Sequence, residues 1–172
     1  VVHVVRKPNG EVDSLVGFMF DISARKRQED RMKAMQRKLE EYSYKDGLTG
    51  VANRRLFDEY YSREWLNSIR VQKPLSLIIA DIDYFKQYND GHGHINGDQC
   101  LREIAQLWST CCSRPRDLVS RFGGEEFLMI LQTSYLDQII EIAERCRKQI
   151  EQEYFVINDN LSIQITASFG IS

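Results

Sequence analysis

Apolar and polar positions recur along the chain with periods that mark out its elements. Leu161, Ile163, Ile165, Ala167, Phe169 and Ile171 alternate with other residues and predict one strand over 161–171. Leu75-Ser76-Leu77-Ile78-Ile79-Ala80, preceded by Pro74, is a short apolar run that predicts a buried strand over 75–82. Further apolar runs predict strands over 117–122 and 126–132, joined by a tight hairpin. Helical spacing takes over at 53–70, 98–112 and 135–152. In the first of these, Leu56, Phe57, Tyr60, Tyr61, Trp65 and Ile69 fall at core-facing positions; in the second, Leu101, Ile104, Ala105, Leu107 and Trp108 do so. Helices interleaved with strands and one hairpin predict an α/β (α+β) domain, with a mainly antiparallel central sheet flanked by helices.

The first 45 residues follow a different pattern. Residues 1–6 and 11–22 predict two strands around a Lys7-Pro8-Asn9-Gly10 turn, an arrangement marginal by itself. A charged helix over 24–44 follows, with Met32, Met35, Leu39 and Tyr42 at 3-4-3 spacing. That spacing suits a short coiled-coil seam, or a single amphipathic helix packed on its own domain. The expected divisions are 1–23, 24–45 and 46–172.

Composition narrows the classes. Twenty-three basic and 25 acidic residues leave a net charge of −2, which argues against a nucleic-acid surface. No apolar run is long enough to cross a membrane, and no signal peptide is expected. Cys100, Cys111, Cys112 and Cys146 lack metal-ligand spacing and read as reduced structural thiols of a cytoplasmic protein. The chain starts without Met and reads as a piece of a longer protein.

The polar residues between the apolar runs carry the chemistry. Ser-Arg-Phe-Gly-Gly-Glu-Glu-Phe at 120–127 puts two glycines and two acids into the hairpin. Gly123 and Gly124 permit the positive φ of a tight turn, and Glu125 and Glu126 begin the returning strand. Adjacent like charges repel, so a cation or substrate is the natural compensation; a solvated turn with two surface glutamates is the plain alternative. Asp81 and Asp83 share a strand face at the end of a core strand, where carboxylates are costly unless paired or metal-bound. Strand-end acids facing an acidic hairpin suit two-metal phosphoryl transfer. Residues 86–98 read as a polar, glycine-rich loop leading to the helix at 98, with Asp98 near its cap. Lys86 can meet a phosphate, and Asn89 with Asp98 offers the donors and acceptors of a guanine edge. His92 and His94 lack the further ligands of a zinc site.

Asp81-Ile82-Asp83-Tyr84-Phe85-Lys86, Asn89-Asp90, Gly93-His94, Gly97-Asp98 and Gly123-Gly124-Glu125-Glu126-Phe127 together resemble the GGDEF family of diguanylate cyclases. Asp46-Gly47-Leu48-Thr49-Gly50 with Asn53-Arg54-Arg55 resembles that family's opening motif. The resemblance covers about 46–172 and implies a palm-like cyclase domain. It implies a homodimer that joins two GTP into cyclic di-GMP and releases two pyrophosphates. It also implies a bacterial cytoplasmic setting, with any membrane tether outside this chain. Two Mg²⁺ per site are implied, with Mn²⁺ as a substitute, held by Asp81, Glu125 and the carbonyl of Ile82. Glu126 would serve as a metal neighbour or in hydroxyl activation. Asn89 and Asp98 would hold guanine. Lys86 and the amides of Tyr84 and Phe85 would hold the β and γ phosphates.

Arg114-Pro115-Arg116-Asp117 fits the family's Arg-x-x-Asp inhibitory site, where the product binds; Arg145 matches a further product contact. A salt-bridged surface turn is the plain alternative. The family continues past Ser172 with a helix bearing phosphate-binding basic residues. Gly10-Glu11, Gly17-Phe18-Met19-Phe20-Asp21-Ile22-Ser23 and Arg25-Lys26-Arg27-Gln28-Glu29 resemble the end of a PAS sensor domain and its exit, which implies an upstream sensor. Rival readings are a silent GTP- or cyclic di-GMP-binding GGDEF module, a dimerisation domain, and another palm-type nucleotide cyclase.

Overall fold

The computed structural model describes residues 2–17, 21–132, 135–158 and 161–172, without the side chains of 2, 15–17, 34 and 36–42. The chain forms two compact units, Val1–Glu40 and Glu41–Ser172.

The first unit holds β1 (Val2–Arg6), β2 (Val12–Gly17) and most of α1 (Ser23–Tyr44). β1 and β2 pair antiparallel. Their turn closes through Lys7 N–H to Glu11 O (2.8 Å) and Gly10 N–H to Lys7 O (2.9 Å), with Gly10 at φ 88°. Asp21 Oδ1 accepts the Ser23 amide at the start of α1. In the expected seam, Met32 and Met35 are exposed; the side chains of Leu39 and Tyr42, and residues 18–20 of the sensor-like motif, lie outside the described residues.

The second unit runs β3 (Ala52–Asn53), α2 (Arg54–Val71), β4 (Ser76–Ile82), α3 (Phe85–His92), α4 (His94–Cys111), β5 (Leu118–Gly123), β6 (Glu126–Leu131), α5 (Leu136–Gln152), β7 (Phe155–Asn158), β8 (Leu161–Ile163) and β9 (Ala167–Ile171). The main sheet has the order β3-β5-β6-β4-β9, antiparallel except for β3 with β5. Mixed α+β architecture with a mostly antiparallel sheet is therefore present, as the periodicity predicts.

Alternation in the strands sends side chains to two cores. Ile78, Ala80 and Ile82 of β4 and Phe127, Met129 and Leu131 of β6 face α4 and α5. Trp108 is fully buried there, edge-on to Phe127 (5.0 Å) and Phe169 (5.5 Å). Leu128 and Ile130 face the other way, against Phe57 of α2 and the partly buried Tyr60 and Tyr61. Trp65 and Ile69, expected in the core, are 49 % and 60 % exposed.

Three sequence expectations change. The predicted strand over 161–171 is two strands: β8 pairs with β7 in a separate hairpin, and β9 joins β4. The break at 164–166 turns Ile165 into the core while Thr166 reaches Asp83, so the alternation is kept without one ladder. The predicted loop 86–98 is mostly helical. Phe85 and Tyr88 bury one face of α3, stacked 6.0 Å apart, and packing overrides the glycine content. The following helix begins at His94, not 98, behind Gly93 at φ 83°. Asp98 is therefore inside α4 and is not its cap.

Candidate active site

β4 and β6 bring the acids together. In their register Asp81 lies opposite Glu126, and on its other side opposite Ser168 of β9. Cross-strand partners share a sheet face, so Asp81 and Glu126 project together. Burial, then the negative charges of Glu125, Glu126 and Asp83, push the Asp81 carboxyl above its ordinary range. Among the described residues, the carboxylates of Asp81, Glu125 and Glu126 have no ion-pair or hydrogen-bond partner. Asp83 differs: its oxygens accept from Thr166 Oγ1 (2.6 Å) and Ser168 Oγ (2.7 Å). It acts as a tie from the end of β4 to β9, which fixes the strand end beneath Asp81.

Unpaired carboxylates in mutual repulsion fit a hard divalent cation. Among the described residues, no three His, Cys, Asp or Glu form a group that could by itself hold a metal ion.

The hairpin differs in detail from its sequence reading. Only Gly124 has positive φ (54°); Gly123 does not. The returning strand starts at Glu126, so Glu125 sits in the turn itself. A register shift between Arg121 and Gly123 absorbs Phe122 as a bulge. An added Cβ on either glycine would meet open space, so only the positive φ of Gly124 calls for glycine here.

Arg121 braces this turn, a role the sequence did not signal beyond its place in the motif. Its Nε donates to Gly124 O (2.9 Å) and its Nη1 to Asp46 Oδ1 (3.2 Å). Asp46 also accepts from the Thr49 amide (2.9 Å) and hydroxyl (2.6 Å). Burial opposes ionisation of Asp46, but Thr49 and Arg121 outweigh it and hold the carboxyl below 3.8. A lowered folded pKa means the contribution is present above the ordinary value and lost as pH falls through the folded one. We expect Arg121→Ala to cost about 1–3 kcal/mol at neutral pH, the range for hydrogen bonds to a charged group. In urea titrations the difference between wild type and variant should shrink on acidification below 3.8. A pH-independent difference would contradict this.

The face beside the acids is built by α3 and α4. Tyr84 takes φ 56°, a conformation that costs a non-glycine residue about 1 kcal/mol or more, and is 76 % exposed. This turn ends the run of β4 and starts α3 without a side-chain cap. The first amides of α3 are thus open, with Lys86 exposed beside them. Lys86 and Asn89 are three residues apart on one helix face. Asn89 Oδ1 is buried and has no hydrogen-bond partner. It lies where a Cβ on residue 97 would sit: any side chain at Gly97 would collide with it. Asn89 therefore abuts the turn of α4 that carries exposed Asp98. The sequence marks this contact only as a glycine inside a helix, a residue that needs a local reason.

The Arg114–Asp117 turn is tied in place. Asp117 Oδ2 accepts the Arg114 amide (3.3 Å) and Oδ1 the Gln132 amide (3.2 Å), and the Asp117 amide donates to Arg114 O (3.0 Å). Tyr60 Oη donates to Arg116 O (2.7 Å) from α2. The guanidinium of Arg114 has no hydrogen-bond partner among the described residues. Arg145 donates from Nη2 to Cys111 O (2.7 Å), three residues before Arg114.

Residues 43–172 match the family described as "Diguanylate cyclase, GGDEF domain". Diguanylate cyclase DosC of Escherichia coli K12 is 34 % identical over 125 residues, which are 73 % of this chain and 27 % of that protein. Diguanylate cyclase VdcA of Vibrio cholerae is 38 % identical over 147 residues, 82 % of this chain and 41 % of that protein. The chain thus spans well under half the length of these relatives. The solved coiled coil and GGDEF domain of DgcB from Caulobacter crescentus, in complex with c-di-GMP, aligns with a TM-score of 0.81 at 25 % identity, covering 87 % of this chain and 79 % of that one. SiaD of Pseudomonas aeruginosa, a diguanylate cyclase in complex with its activator SiaC, aligns at 0.73 with 34 % identity, covering 87 % and 56 %. Among the described residues, no helix is long and apolar enough to cross a membrane. The motifs, the sheet order and these likenesses agree: the chain belongs to the GGDEF-domain family of diguanylate cyclases.

Proposed function

We propose that the protein is a diguanylate cyclase that condenses two GTP into cyclic di-GMP and two pyrophosphates. The observation that carries this is the gathering of Asp81, Glu125 and Glu126, whose negative charges act on one another where β4 meets the hairpin; the orphaned acceptor of Asn89 in α3 supports it. A degenerate binding or dimerisation module has no need of such a set, whose like charges repel one another.

In this mechanism each domain binds one GTP, and two copies face each other. Asn89 and Asp98 engage guanine; the buried Oδ1 of Asn89 gains the donor it lacks. Lys86 and the open amides of Tyr84 and Phe85 hold the β and γ phosphates. Asp81, Glu125 and the Ile82 carbonyl would hold a Mg²⁺ pair together with the substrate phosphates, and the metal would offset phosphate charge and acidify the attacking hydroxyl. Glu126, exposed opposite Asp81, accepts the hydroxyl proton. The 3′-oxygen of one GTP bonds to the α-phosphorus of the other as pyrophosphate leaves. The same step repeated with roles exchanged closes the ring.

Arg114 and Asp117 form the product-binding turn, with Arg145 as a further contact. The free guanidinium of Arg114 supports this, since it can fork onto guanine O6 and N7. Adding cyclic di-GMP to a GTP-turnover assay tests the reading. Wild type should slow; Arg114→Ala should keep turning over with its inhibition relieved about tenfold or more, the loss of one good bidentate contact. Equal inhibition of both proteins would reject the product site, and a folded wild type that consumes no GTP would reject the cyclase reading.

A further inference from the structure

Asp83 lies one residue past the end of β4, two residues from Asp81. Both of its carboxylate oxygens are taken: Oδ2 accepts from Thr166 Oγ1 (2.6 Å) and Oδ1 from Ser168 Oγ (2.7 Å). Its amide donates to Thr166 O (2.9 Å). Three bonds thus hold one residue to the start of β9. They lie on the outer face of the sheet, since Ile82 and Ala167, the register pair between them, are buried in the core.

This arrangement does more than join two strands. Thr166 and Ser168 are exposed, so water could satisfy both hydroxyls without any tie. Ser168 is the register partner of Asp81, yet its hydroxyl runs diagonally to Asp83 and leaves the Asp81 carboxylate without a donor. The amide bond to Thr166 O also fixes a peptide plane. The peptide from Ile82 to Asp83 is trans, so its carbonyl points away from its N–H. With the N–H directed at β9, the Ile82 carbonyl is directed to the opposite edge of β4, where β6 and the acidic hairpin lie. The β4–β6 register ends one residue earlier, at Asp81 and Glu126.

We propose that Thr166, Ser168 and Asp83 are positioning residues of the metal site. The tie withholds a third carboxylate from the cation, leaves Asp81 free to bind it, and aims the Ile82 carbonyl beside Asp81. This rests on the metal-site reading above, in which none of the three side chains touches the cation or GTP. Without the two hydroxyls, the Asp83 carboxylate is released beside the cation and the strand end keeps one of its three bonds to β9. Loss of groups that orient metal ligands costs about tenfold to a hundredfold in metal affinity.

Binding of Mn²⁺ to the whole protein, with a non-hydrolysable GTP analogue present, tests this and is followed by electron paramagnetic resonance. Thr166→Val combined with Ser168→Ala keeps the Asp83 carboxylate and removes both donors. This variant should bind Mn²⁺ about tenfold or more weakly than wild type. Its affinity for the analogue without metal, to which Lys86, Asn89 and Asp98 contribute, should match wild type. Thr166→Ser combined with Ser168→Thr keeps a hydroxyl at each position and should bind Mn²⁺ as wild type does. Should the first double variant not fold, Thr166→Val and Ser168→Ala singly should each show part of the loss. Wild-type Mn²⁺ affinity without the hydroxyls would overturn the proposal; if Asp83→Ala alone then weakened binding, Asp83 would be a ligand and not a tie. An equal loss in the hydroxyl-retaining variant, or in metal-free analogue binding, would make the tie a purely structural contact and overturn it too. The metal-site reading fails separately: Mn²⁺ binding that Asp81→Ala leaves unchanged would place the cation elsewhere, with nothing for the tie to position.

Discussion

Asp81→Ala and Glu125→Ala should each lower cyclic di-GMP formation by about a thousandfold or more, the equivalent of several kcal/mol of transition-state stabilisation. Stability should move the opposite way. Asp81 is held among Glu125, Glu126 and Asp83 with no cation opposite it among the described residues, so removing its charge relieves repulsion in the ligand-free protein. The metal-free variant should therefore melt no lower than wild type. This pairing separates a functional carboxylate from a structural one: loss of a structural acid lowers stability and activity together. If Asp81→Ala turns over GTP at the wild-type rate, or is inactive only because it is unfolded, the catalytic assignment fails.

The second large effect concerns guanine. Asn89→Ala should weaken GTP binding by about 1–3 kcal/mol, about tenfold to a hundredfold, because it removes a specific contact to a base edge. Asp98→Ala should do the same from the next helix. Gly97→Ala should be at least as harmful although residue 97 touches no nucleotide in this scheme, because its methyl takes the position of Asn89 Oδ1. The Gly97→Ala and Asn89→Ala losses should not add, since both displace one side chain. Isothermal titration with a non-hydrolysable GTP analogue reads these directly. Normal affinity in Gly97→Ala would place the base elsewhere.

What was legible in the sequence divides along physical lines. Long apolar periodicities gave α2, α4, α5, β4, β5 and β6 to within a few residues, because burial of one face dictates them. The acids of β4 and the hairpin could be paired from sequence because both flank core strands. The helix α3 was missed: its buried face is only Phe85 and Tyr88, and glycines and polar residues around them outweigh two apolar positions locally. The split of 161–171 was missed because alternation reports which face is buried, not which neighbour accepts the hydrogen bonds. The braces were not readable at all. Arg121 to Asp46 joins residues 75 apart, and Asp83 reaches Thr166 and Ser168 across 83 and 85 residues. Such contacts exist only once the sheet order is known. The exposure of Trp65 and Ile69 on α2 shows the limit of helical spacing as a guide to the core.

One measurement tests the cyclase assignment most directly. The protein is incubated with saturating GTP and Mg²⁺ across a dilution series, the products are identified by mass spectrometry, and its mass in solution is followed by light scattering. Because each domain holds one GTP and each new bond joins two, the two-domain mechanism predicts cyclic di-GMP with two pyrophosphates per turnover. Specific activity should rise with protein concentration as copies meet, and tethering two copies should remove that dependence. A folded, GTP-binding protein that forms no cyclic di-GMP at any concentration, or a demonstrated monomer whose specific activity is constant on dilution, would contradict it.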